Sequence, residues 1–235
     1  MERLSHLRRG HWWALYAAIL AAWAALWAVV PEAPVGGAAW LADICRAVAA
    51  DAGAPGVLAM WVLMGAAMML PTALPTFAAY DMVPGAAEGW KVVAGYAVVW
   101  LGFAVAATGV QLSLSAWAAR DAAWLGAGLL LLAAAYQVSP LKAACLSKCR
   151  QPVTFLMQHW AEGPWRMGLR LGAVCLGCCW ALMALGLVGG LMSLGFMALA
   201  TVLMTAEKLS AGPGLSRGMA AACMAGAGWM IGGIG

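Results

Sequence analysis

Seven stretches of the chain are almost unbroken apolar sequence, each roughly the ~17–25 residues that cross a bilayer's hydrocarbon core. They cover residues 12–30, 57–79, 92–113, 122–138, 168–188, 191–206 and 218–235. This pattern predicts an all-α fold, a polytopic transmembrane helical bundle of about seven helices. The sixth stretch is short, and only Gly189-Gly190 separates it from the fifth, which reads as a tight antiparallel hairpin. Pro71 and Pro75 each remove a backbone donor from the second stretch, so a kink is expected there. GxxxG spacings at Gly168 and Gly172, Gly186 and Gly190, and Gly228 and Gly232 suit close helix packing but are weak signals in so glycine-rich a chain.

The polar positions fall mostly between the stretches, and their charges set an orientation. With a cytoplasmic N-terminus, the inner side holds Arg3, Arg8, Arg9, Lys91, Lys142, Lys148, Arg150, Arg166, Arg170, Lys208 and Arg217, and the outer side only Arg46 and Arg120. Eleven basic residues against two follow the positive-inside rule, and the C-terminus then lies outside. Residues 31–56 become a Gly/Ala/Pro-rich outer loop. Residues 139–167 become a cytoplasmic loop, basic at its start and then amphipathic through Phe155, Leu156, Trp160 and Trp165, as an interfacial segment would be.

Composition agrees. Hydrophobic residues make up 65% of the chain and charged residues 9%, with a mean hydropathy of +0.88. A soluble domain carries ~25% charge, so the chain reads as one integral membrane domain over residues 1–235. Within it, residues 1–56 form a signal-anchor helix plus the outer loop. The run from residue 12 is too long for a cleaved signal and holds Trp12, Trp13, Trp23 and Trp27. A net charge of +4 without a basic face away from the membrane excludes nucleic-acid binding.

The chemistry lies in sulfur. The seven cysteines do not form a secreted disulfide framework: five fall in CxxxC and CxxCC groups, while Cys45 and Cys223 stand alone. In the fifth stretch Cys175, Cys179 and Met183 recur every four residues, and Cys178 sits beside them, so three thiols and a thioether share one helix face. Such soft donors suit Cu(I). In the second stretch Met60, Met64 and Met68 form a thioether stripe that would pass Cu(I) without deprotonation. Cys145 and Cys149, one helical turn apart among Lys142, Lys148 and Arg150, would offer thiolates at the cytoplasmic mouth. The expected metal ligands are therefore Cys175, Cys178, Cys179, Met183, Met64, Met68, Cys145 and Cys149.

Other polar residues add little. Glu207 and Lys208 are expected to pair with each other or with the basic loop, Met192, Met197 and Met204 to serve packing, and His159 to be solvated or capping. No Ser-His-Asp set, phosphate loop or haem motif occurs, so no enzyme activity is expected.

The segments from Met64 to Pro75, from Pro140 to Pro152 and from Cys175 to Met183, with Glu207-Lys208, resemble a bacterial family of predicted metal-binding integral membrane proteins. That family is a domain of unknown function in which some members carry a copper-chaperone label. The resemblance spans residues 57–235. It implies copper handling in the bacterial inner (cytoplasmic) membrane, as transporter or chaperone, with the lipid bilayer and a cuproenzyme or soluble copper-binding protein as partners. It leaves the oligomeric state open. Against this stand a membrane thiol–disulfide redox protein and a structural subunit of a larger membrane complex.

Overall fold

In a hydrocarbon core every backbone N–H and C=O must find its partner within its own segment, so apolar runs of this length fold as helices. The computed structural model describes residues 2–29, 53–187, 194–210 and 212–232. Among these residues eight α-helices follow in order: α1 (Glu2–Val29), α2 (Gly53–Met82), α3 (Gly89–Gln137), α4 (Pro140–Arg150), α5 (Pro152–His159), α6 (Gly163–Ala184), α7 (Leu194–Leu209) and α8 (Gly214–Gly232). Short 3-10 turns sit at Trp160–Glu162 and Leu185–Leu187. The expected outer loop lies outside the described residues except for 53–56, which open α2. The Gly189-Gly190 hairpin also lies outside them.

The all-α expectation holds, but the count of seven crossings is approximate. Among the described residues, four helical spans are long and apolar enough to cross a membrane: His11–Ala28, Gly53–Met82, Gly89–Leu114 and Pro152–Leu187. A fifth arises if Trp124–Gln137 and Pro140–Arg150, bent by 62°, count as one broken span. The sixth expected stretch is α7, whose 16 residues make a rod of about 24 Å, short of the ~30 Å core.

The third and fourth expected stretches share one helical run, α3, of 49 residues. As a straight rod it would hold Tyr96 and Tyr136 about 60 Å apart. Yet the Tyr96 hydroxyl is 3.1 Å from Cys175 Sγ, and the Tyr136 hydroxyl donates to the carbonyl of Gly177, two residues along the same helix. The run therefore folds back between the two tyrosines. Its apolar spans end at Leu114 and resume at Trp124.

Glycines set how closely the helices approach. A Cβ on Gly172 of α6 would lie 2.8 Å from Val99 Cβ, and one on Gly95 of α3 would lie 2.6 Å from the Trp165 carbonyl. Gly168 rests on the backbone of Val92. Contacts from Val92 to Gly168 and from Val99 to Gly172 advance in the same direction, so this part of α3 runs parallel to α6. The second-stretch prolines do not end α2, which continues through both. Pro71 has no N–H for the Ala67 carbonyl, and the Trp23 indole of α1 donates to it instead at 3.0 Å.

Residues 139–167 are helical rather than a loop. Ser139 caps α4 by accepting from the Lys142 N–H. The Lys142 side chain is only 1% exposed and pairs with Glu207 Oε2 at 2.8 Å, so this first basic residue of the segment is turned inward while Lys148 stays exposed. Gln137 and Ser216 complete the cluster through hydrogen bonds to Lys142 and Glu207 respectively. Arg150 donates to the carbonyls of Glu207 and Gly212 at 3.0 Å and 3.1 Å, tying α4 to the end of α7. His159, the last residue of α5, bonds the Phe155 carbonyl one turn back at 2.9 Å.

Candidate metal centre

The helical period brings the α6 sulfurs together. Cys175, Cys178 and Cys179 are all buried, and their sulfurs lie within 4.8 Å of one another. Cys178 Sγ is 3.2 Å from Cys179 Sγ and donates to the Cys175 carbonyl at 3.0 Å. Met183 is buried one turn beyond Cys179.

Helix α4 lies across this stripe. Cys149 Sγ is 3.9 Å from Cys178 Sγ. Cys145 meets α6 at Gly177, where an added Cβ would lie 2.7 Å from the Cys145 sulfur. A glycine at 177 thus lets α4 approach closely enough to add its thiols. The two cysteines expected at the cytoplasmic mouth are half-buried against α6.

Tyr96 and Lys208 flank the thiols from the other side. The Tyr96 hydroxyl donates its one proton to the Met69 carbonyl at 2.9 Å, which leaves its oxygen to accept from Cys175 at 3.1 Å. Lys208 Nζ donates to Thr72 Oγ1 at 2.7 Å and to Cys175 Sγ at 3.2 Å. Glu207 and Lys208 therefore part company: the carboxylate goes to Lys142 and the ammonium to the sulfur. Consecutive helical residues do not face each other, which is why the adjacent pair does not close on itself.

The thioethers gather farther along α6. Met64 and Met68 of α2, Met183 of α6 and Met197 of α7 line one cavity with Leu182, Gly186 and Phe196. Met60, the first of the stripe, is half-buried. Met197, assigned to packing from its helical phase, is the methionine that sequence reasoning missed. Its cavity partners belong to other helices, and periodicity within α7 carries no signal for them. Tyr96, Thr72 and Lys208 were missed for the same reason.

Among the described residues no carboxylate meets these sulfurs, and buried thiols beside thioethers are donors of the kind that suits a soft ion. No curated protein and no solved structure matches the chain. The family model described as a copper chaperone, PpoB2, matches residues 58–230, a span that contains every thiol and thioether of this candidate site. The chain therefore belongs to the PpoB2 copper chaperone family.

Proposed function

We propose that this protein is a non-enzymatic, multi-pass protein of the bacterial inner membrane that binds Cu(I) and hands it on, as chaperone or transporter, to a cuproenzyme or a soluble copper-binding protein. The observation that carries this reading is the group of three α6 thiol sulfurs within 4.8 Å of one another, joined by Cys149 from α4. Copper is the cargo here. Cys175 and Cys179 would hold it as thiolates with Cys178 beside them as a thiol, while Met64, Met68 and Met183 would receive it at the neighbouring cavity without deprotonation. Cys149 and then Cys145 would take it at the far side of α6.

The orientation proposed is a cytoplasmic N-terminus and an outer C-terminus, supported by the eleven-to-two division of basic residues. In that frame thioethers lie toward the outer face and the α4 thiols toward the inner one. Reporter fusions at both termini and at Ser147 test it, and a cytoplasmic C-terminus rejects it.

The binding test uses the purified, reduced, full-length protein under anaerobic conditions. It should bind about one to two Cu(I) per chain, as expected for clustered thiols and thioethers. Cys178→Ser with Cys179→Ser should lower that number in a protein that remains monodisperse. Unchanged copper content in the double variant would reject the thiol site.

A further inference from the structure

Cys175 has a cation at its sulfur that no nearby acid balances. Lys208 Nζ is 3.2 Å from Cys175 Sγ, and its other contact, Thr72 Oγ1 at 2.7 Å, is neutral. The adjacent Glu207 is matched by Lys142 at 2.8 Å and by Ser216. Among the described residues, no carboxylate lies within ion-pair distance of Lys208.

Unbalanced charge is costly in a buried, apolar setting, so the total charge of the loaded site matters. Cys178 donates to the Cys175 carbonyl, which leaves Cys175 and Cys179, one turn apart, as the thiolate pair. Two thiolates around a monovalent ion sum to minus one, and the Lys208 ammonium brings the site to zero. Around a divalent ion the same ligands sum to zero, and the ammonium leaves an excess positive charge. For any fixed set of ligands, the divalent ion meets one more unit of repulsion from Lys208.

We infer that Lys208 is a specificity-determining residue: it makes the thiol site select monovalent soft ions, Cu(I) and Ag(I), over divalent thiophilic ions such as Cd(II) and Hg(II). Thiols alone do not separate these classes, because thiolate sulfur binds both. The inference rests on the thiol site proposed above and adds to it the charge of the ion that it accepts.

The test measures Ag(I) and Cd(II) binding to the full-length protein in detergent, each against a chromogenic chelator at one pH. The proteins are wild type, Lys208→Arg, Lys208→Gln and Thr72→Asp, with circular dichroism and size-exclusion profiles as fold controls. Lys208→Gln should move the Ag(I)-to-Cd(II) affinity ratio toward Cd(II) by roughly tenfold or more, the size expected for one unit charge at ~5 Å in a partly screened interior. Lys208→Arg keeps the charge and should keep the ratio. Thr72→Asp leaves the lysine in place but balances it with a carboxylate, so it should shift the ratio in the same direction as Lys208→Gln. If Lys208→Gln does not fold, the Thr72→Asp ratio decides. An unchanged ratio in a folded neutralising variant overturns the inference and leaves the thiol site standing. A wild type that binds neither ion overturns the thiol site, and the inference with it.

Discussion

Cys149 of α4 and Cys178 of α6, 29 positions apart in the chain, bring their sulfurs to 3.9 Å. A disulfide needs a sulfur separation of about 2.05 Å, so a small shift of α4 would join them. Cys178 and Cys179 cannot form one as readily, because neighbouring Cα atoms are ~3.8 Å apart and disulfides usually span at least ~4.4 Å. Mild oxidation should therefore link Cys149 to Cys178, seen as a cross-linked peptide pair by mass spectrometry, and bound Cu(I) should prevent it. A link that forms equally well with copper bound would favour the thiol–disulfide reading over copper handling.

The helix glycines separate into tight and open ones. Gly95 and Gly172 have no room for a Cβ, whereas Gly228 and Gly232 have nothing within 4 Å of one. Gly95→Ala and Gly172→Ala should each destabilise by about 1–3 kcal/mol, as overpacking does. Gly228→Ala should be neutral or stabilise by up to ~1 kcal/mol, since alanine is the better helix former. Thermal unfolding in detergent compares the variants, and equal losses at the tight and open sites would contradict the α3–α6 packing.

Lys142 and Glu207 are 1% and 2% exposed and paired at 2.8 Å. Removing one partner strands the other charge, so Glu207→Gln should cost about 3–5 kcal/mol. Lys142→Met together with Glu207→Leu should cost less than either single change, because the double variant leaves no charge stranded. A double-variant cycle of unfolding midpoints measures this, and simple additivity would mean that the two charges do not depend on each other.

The indole of Trp23 stands in for the N–H that Pro71 lacks. Trp23→Phe should leave the Ala67 carbonyl without that donor and cost about 1–3 kcal/mol. Pro71→Ala restores a backbone N–H to that carbonyl, so the Trp23 substitution should cost less in the Pro71→Ala background. The same loss in both backgrounds would assign the effect to packing alone.

Sequence by itself determined what repeats within one helix. The apolar run lengths fixed the all-helical class, because an unpaired backbone is intolerable in hydrocarbon. The four-residue spacing of Cys175, Cys179 and Met183, and of Met60, Met64 and Met68, put each set on one face, since that period belongs to the helix alone. Only the tertiary structure decided which faces meet. In a chain that is 65% hydrophobic, apolar residues surround most helices, and periodicity picks no buried side. The reversal inside α3, the approach of Cys149 to Cys178 past Gly177, the placing of Met197 beside Met64, Met68 and Met183, and the division of Glu207 to Lys142 and Lys208 to Cys175 all join different helices. Each depends on where glycines let backbones close and on which buried charge finds a partner, and neither is carried by the spacing of residues along one helix.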